Sequence, residues 1–195
     1  MIQVSKKSYK DNNLTIRLAN KEDSSQIIQL QLNSLKILAA QDYTSHQIKA
    51  ILNSKTQQRS ILEIIFIAEV NHQAVGFAAL DRYTNSLAGL FVAPEYVRQG
   101  IGTMLLQKIE TEAVRLKIPI LWVCASLTGY PFYKANKYQK LSRSNILVNR
   151  TLVPCVQMKK RLIPSTKVEI AVNILYYALI TLIIFWSLVI FLASF

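Results

Sequence analysis

Seventeen residues, Leu90 to Leu106, constrain this chain more than any other stretch. Leu90-Phe91-Val92 ends an apolar strand, a short loop follows, Gly100 and Gly102 flank Ile101, and an amphipathic helix starts at once. The first turn of a helix leaves backbone N–H groups without partners and carries a partial positive charge, so a strand, loop and helix in this order aim several donors at one point. Such a point suits a phosphate. Glycine at 100 and 102 lets the backbone approach an anion with no Cβ in the way. The chain is therefore expected to bind a diphosphate-bearing cofactor.

The rest of the chain supplies a frame for that loop. Leu14 to Ala19 alternates as a strand does, and a helix capped at Asn20 or Asp23 runs to about Ala39. A shorter helix follows at about Ser45 to Asn53, and the polar stretch Ser54 to Ser60 breaks the pattern. Leu62–Val70 and Ala74–Asp81 read as a hairpin turning at Asn71-His72-Gln73. Leu87–Val92 is the strand before the loop, and its helix ends ahead of Pro119. Ile120–Ala125 is a buried strand, residues 128–136 a helix or turn, and Tyr138–Leu141 and Val153–Leu162 the last strands. That order makes an α/β fold with a mixed sheet flanked by helices.

Two familiar phosphate sites are excluded. A P-loop needs Lys-Ser/Thr after its second glycine, which this loop lacks; a dinucleotide fingerprint needs a third glycine and an acid about 20 residues on. The pattern that remains, Val97-Arg98-Gln99-Gly100-Ile101-Gly102, resembles the Gln/Arg-x-x-Gly-x-Gly/Ala cofactor motif of the GNAT superfamily of N-acetyltransferases. The run Ala125-Ser126-Leu127-Thr128-Gly129-Tyr130-Pro131-Phe132-Tyr133, continuing to Tyr138, is similar to the family's Ala-Ser-x-Asn-Ala-x-x-Phe-Tyr-x-x-x-Gly-Phe signature. The likeness covers about residues 14–162. Val97, Thr128 and Lys137 depart from it, standing where Gln/Arg, Asn and Gly are usual.

The resemblance implies a mostly antiparallel sheet and transfer of an acetyl group from acetyl-CoA to a primary amine by direct attack on the thioester. It implies that Phe91 and Val92 present backbone groups to the pantetheine and thioester, and that Arg98, Gln99, Gly100, Ile101, Gly102 and Thr103 wrap the pyrophosphate. It also places Thr128 near the pantetheine, and Tyr133 beside the sulfur as a general acid. A phenol is protonated at neutral pH and can donate to a leaving thiolate. No metal is implied. The general base is not visible: Ser86 to Val92 holds no carboxylate, and Asp81 and Glu69 stand as weak candidates. A water chain would serve equally. That gap keeps a second reading open, a non-catalytic acyl-CoA-binding sensor or interaction module at the membrane, against which the retained Tyr133 counts.

Beyond the fold lies an appendage. Ile170 to Phe195 holds no charged residue, long enough for a transmembrane helix. Of the net charge of +12, residues 113–169 supply +10, and Lys159, Lys160, Arg161 and Lys167 directly precede the span. Such a flank favours the cytoplasmic side and anionic lipid headgroups. The expectation is a single-pass membrane protein with a cytoplasmic catalytic domain and no nucleic-acid partner. Its parts are a flexible N-terminus at 1–13, the domain at 14–163, a basic hinge at 164–169 and the membrane helix at 170–195. Cys124 and Cys155 are read as buried structural thiols.

Overall fold

The computed structural model describes residues 14–54, 60 and 62–193, and the expected N-terminal tail lies outside them. The chain divides into two units, Met1–Leu162 and Ile163–Phe195.

In the first unit a seven-stranded sheet runs in the order β1-β2-β3-β4-β5-β7-β6. Its strands are β1 (Leu14–Leu18), β2 (Glu63–Val70), β3 (Gln73–Asp81), β4 (Ser86–Val92), β5 (Ile120–Ser126), β6 (Gln139–Val148) and β7 (Thr151–Arg161). Every neighbouring pair is antiparallel except β4 and β5. The helices are α1 (Ser24–Leu38), α2 (Ser45–Leu52), α3 (Ile101–Arg115) and α4 (Tyr130–Ala135).

Alternation along the strands builds two cores. Ile67, Phe77 and Ala79 point to one face and meet Ile27 and Leu30 of α1. Phe66, Ala78, Leu80, Leu121 and Val123 point to the other, where they bury Ile101, Leu105, Leu106 and Ile109 of α3. β3 is covered on both faces, which explains its nearly unbroken apolar run. Gly76 sits where α3 crosses it: a Cβ there would lie 3.0 Å from Leu105 Cδ1 and 3.1 Å from the Phe91 carbonyl oxygen.

The sequence foresees most of these elements to within two residues, with one clear exception. The last two strands form a long hairpin turning at Asn149-Arg150, both with positive φ (46° and 62°), where a strand of four residues was expected for β6. β6 is an edge strand exposed along nearly its whole length, so Ser142, Arg143, Ser144 and Asn145 carry no alternation to read. Lys137, where glycine is usual in the resembling motif, takes a left-handed conformation (φ 67°). The expected burial of both cysteines holds for Cys155 only. Cys124 alternates with Val123 and Ala125 and faces the open side of β5.

The second unit contains α5 (Lys167–Ala193), which therefore begins inside the stretch expected to be a hinge. Its segment Ile170–Leu192 is 23 residues long, about 34 Å at helical rise, and among the described residues it is the helix long and apolar enough to cross a membrane. The hydroxyls of Thr181 and Ser187 donate to the carbonyls of Ala178 and Ile183 (both 2.8 Å), so these polar side chains are satisfied by their own helix.

Candidate active site

The site begins where the sheet comes apart. β4 and β5 share one register pair, Ser86 with Trp122, closed by the Trp122 N–H donating to the Asn85 carbonyl (3.0 Å). Beyond it the strands separate. A bulge sits at the same place: Ala79 pairs with Gly89 and Leu80 with Leu87, leaving Ala88 as an extra residue in β4. Bulges bend the strand that carries them, here at the base of the opening.

Backbone polarity along β4 decides what faces the gap. The Ala93 N–H donates to the Val75 carbonyl (2.8 Å), and Phe91 pairs with Phe77 with its carbonyl against Gly76. Since N–H and C=O groups alternate sides along a strand, Phe91 spends its backbone on β3 while Leu90 and Val92 turn theirs toward the opening. Of the two residues expected to present backbone groups to the pantetheine, Val92 faces the opening and Phe91 faces β3. Leu90 faces the opening as well, which register alone reveals. The Val92 carbonyl already accepts from the buried Ser34 hydroxyl of α1 (2.9 Å).

The expected anion cradle lies at the end of β4. Arg98 (φ 62°) and Gly100 (φ 86°) both adopt left-handed conformations, the alternation that turns successive N–H groups to one point. Met104 N–H makes the first helical bond, to the Gly100 carbonyl (3.0 Å), and no side chain caps the helix, so the N–H groups of Ile101, Gly102 and Thr103 remain available. Gly100 is required by its φ, since an added Cβ would meet nothing within 4 Å. Gly102 is not held small by its surroundings: a Cβ there would meet Phe132 (3.4 Å) and Leu90 (3.6 Å) at ordinary contact distance. Gln99 braces the loop through its side chain, donating to the Glu95 carbonyl (2.8 Å), and Arg98 is exposed with no partner among the described residues.

Tyr133 lies on α4 and is buried in the larger core, in one cluster with Val92 and Val123. Its ring packs edge-on against Phe132 (5.1 Å between centroids) and Tyr138 (5.5 Å), and Gly129 lies over its Cε2 edge. Burial pushes its phenol well above the usual range, and its hydroxyl has no hydrogen-bond partner among the described residues. Beneath it, burial and the Glu110 carboxylate raise the Tyr138 phenol as well, while Lys160 grips Glu110 through both oxygens (2.8 and 2.7 Å).

Thr128, expected near the pantetheine, lies in the turn between β5 and α4. Its hydroxyl donates to Asp42 Oδ2 (2.6 Å), a charged acceptor delivered by the α1–α2 connection. Next to it the Tyr43 hydroxyl accepts from the Leu127 N–H (2.8 Å) and donates to the Pro154 carbonyl (3.0 Å). Gln47 to the Leu152 carbonyl and Asn149 to the Ala50 carbonyl complete a strap joining α2, the β6–β7 hairpin and the β5–α4 turn.

The two carboxylates considered as bases are otherwise engaged. Glu69 binds Arg17 (2.6 Å), and Asp81 accepts from the Tyr83 and Thr84 N–H groups in the β3–β4 turn, at the end of the sheet away from the opening. Burial works to raise the Asp81 carboxyl, but those bonds hold it below its ordinary range. Among the described residues no group of three or more His, Cys, Asp or Glu side chains is placed to hold a metal. The basic flank is also partly committed: Lys160 is in its ion pair, and Lys159 stacks on Trp122 (5.5 Å).

Comparison with known proteins agrees with this geometry. Residues 39–162 match the family model described as an acetyltransferase (GNAT) domain. An uncharacterized N-acetyltransferase of Escherichia coli, YafP, is 30% identical over 141 residues, covering 69% of this chain and 87% of that protein. A GCN5-related N-acetyltransferase from Rhodopseudomonas palustris has a similar crystal structure (TM-score 0.70, 26% identity, 75% of this chain and 94% of that one). YncA of Salmonella typhimurium, described as a putative acetyltransferase with its cofactor acetyl-CoA, shares the fold at 16% identity (TM-score 0.56, 79% and 96% covered).

Proposed function

Since the chain belongs to the GNAT acetyltransferase family and is an acetyl-CoA-dependent acetyltransferase, we propose that it acetylates a primary amine at a membrane surface. The observation that supports the chemistry is the parting of β4 and β5 after Ser86–Trp122, with the donor-rich start of α3 following β4. Backbone N–H groups from Arg98 to Thr103, with the Arg98 guanidinium, hold the pyrophosphate. The backbone of Leu90 and Val92 aligns the pantetheine and polarises the thioester carbonyl. A neutral amine attacks that carbon, the C–S bond breaks, and the thiolate takes the Tyr133 proton. Burial keeps that phenol protonated at neutral pH.

Membrane placement rests on α5. Its 23-residue apolar segment matches the thickness of a bilayer core, and Thr181 and Ser187 bring no unsatisfied group into it. Arg161 and Lys167, with Lys159, supply the cationic flank that favours a cytoplasmic catalytic unit.

Full-length protein in detergent, given acetyl-CoA and a panel containing a lysine hexapeptide, 1,4-diaminobutane and phosphatidylethanolamine micelles, should release free thiol and yield an acetylated amine. Tight CoA binding without transfer to any amine would defeat the acceptor assignment. In cells the chain should stay with membranes through a high-salt and alkaline wash; release by alkali would remove the anchor.

A further inference from the structure

The reaction needs a group that receives the acceptor's ammonium and removes its proton, and β4 offers no carboxylate for it. We propose that Asp42, on the α1–α2 connection, is that group. This rests on the amine-acetylation reading above.

The other carboxylates with described side chains are spent or misplaced. Asp23 and Glu69 bind Arg17, Glu110 binds Lys160, and Glu112 binds Arg115. Glu63 and Asp81 pair across the end of the sheet level with Ser86, the closed end of the β4–β5 gap, and Glu22 lies in the turn after β1. Glu95 belongs to the loop that carries the phosphate donors. Asp42 is exposed and stands at the open end, fixed by the Thr128 hydroxyl on one oxygen only. Its Oδ1 has no partner among the described residues.

Access points the same way. The α3–α4 face of the gap is filled by Leu90, Phe132 and Tyr133 packed on the larger core. An acceptor must come from the opposite face, where β5 exposes Trp122, Cys124 and Ser126 and where α1 packs. Asp42 is reached from there, and its partner Thr128 lies in the short turn from β5 to α4, the helix that carries Tyr133. Acid and base thus stand on either side of one turn. The Asp42 carboxylate also acts on its neighbour Tyr43, helping burial to raise that phenol.

The protons balance. The acceptor nitrogen arrives as R–NH3+ and gives one proton to the Asp42 carboxylate, which passes it to solvent. Its lone pair forms the C–N bond, the C–S bond breaks, and the CoA thiolate takes the Tyr133 proton. The nitrogen's second excess proton restores the phenol through solvent, so the products are the amide, CoA thiol and one H+.

The test compares full-length wild type with Asp42→Asn, whose amide oxygen still accepts from Thr128 and so preserves the strap. With the lysine hexapeptide and 1,4-diaminobutane, whose nitrogens are protonated near neutral pH, kcat/KM should fall about 100-fold while CoA affinity is unchanged. With 2,2,2-trifluoroethylamine, whose nitrogen is already neutral, the two proteins should differ by less than about threefold. Thr128→Val, which loosens the strap but keeps the carboxylate, should retain the preference for protonated amines. Equal losses with both kinds of amine, or none, would overturn the proposal. If wild type binds CoA but acetylates none of these amines, the amine-acetylation reading fails, and the role of Asp42 with it.

Discussion

Gly100 and Gly102 stand two residues apart and should respond to alanine in opposite ways. Gly100 has φ 86°, a left-handed conformation that costs an L-residue about 1–2 kcal/mol, while the space around its missing Cβ is empty. Gly100→Ala should therefore lose stability through backbone strain alone. For a unit of this size each kcal/mol is worth about 2–4 °C in Tm, so the drop should be about 2–8 °C. Relaxing the strain would rotate the N–H groups ahead of α3. Losing one charge-assisted bond to a phosphate costs about 1.5–3 kcal/mol, a 10- to 100-fold weaker Kd for CoA. Gly102 lies inside the first helical turn with room for a methyl group against Phe132 and Leu90, and that methyl points away from the donors. Alanine is better than glycine there by about 1 kcal/mol, so Gly102→Ala should raise Tm by about 2–4 °C and leave the Kd within about threefold. Thermal unfolding followed by tryptophan fluorescence and CoA titration by calorimetry give both numbers. A Gly100→Ala protein with wild-type Tm and Kd, or the reverse order between the two sites, would refute the conformational reasoning.

Three further outcomes are expected. Gly76→Ala should cost about 1–3 kcal/mol in chemical denaturation, because the Phe91 carbonyl 3.1 Å away is backbone in a paired strand and cannot yield. Tyr133→Phe should lower kcat about 10- to 100-fold with CoA affinity unchanged; equal turnover would remove its assigned role. The Arg17 hydrogen bond holds the Asp23 carboxyl below its ordinary range despite its burial, aided by the Asn20 N–H. A depressed folded pKa gives stability that is present above the unfolded value of about 4 and lost as pH falls through the folded one. Asp23→Asn should accordingly flatten the acid limb of Tm against pH, and an unchanged limb would dismiss the linkage.

What could be read in the sequence was local. The glycines at 100 and 102, the strand before them and the helix after them lie within one short stretch, so spacing alone exposes the cradle. Periodicity exposes β2, β3 and α3 because one or both of their faces are buried. The rest depends on partners distant in sequence. Thr128 meets Asp42 across 86 residues, and nothing near either residue announces the bond. That Leu90 and not Phe91 turns its backbone to the gap follows from which strand β4 pairs with and in which register, which composition does not encode. β6 escaped because an exposed edge strand has no buried face to impose alternation.

The lone bridge between Ser86 and Trp122 makes the sheet a seam joining a four-strand panel to a three-strand panel. Backbone bonding within each panel is continuous, whereas between them cohesion falls to side chains: the apolar core shared with α3 and α4, the Lys160–Glu110 pair and the strap from α2. A ligand that lies in the seam and bonds to both lips works as a suture. Its binding free energy adds to the cohesion of the panels by mass action, about 2.7 kcal/mol at a hundred times Kd. The molecule should thus breathe along this line when the acetyl donor is scarce and stiffen when it is plentiful, coupling its mechanical integrity to the supply of the substrate it consumes.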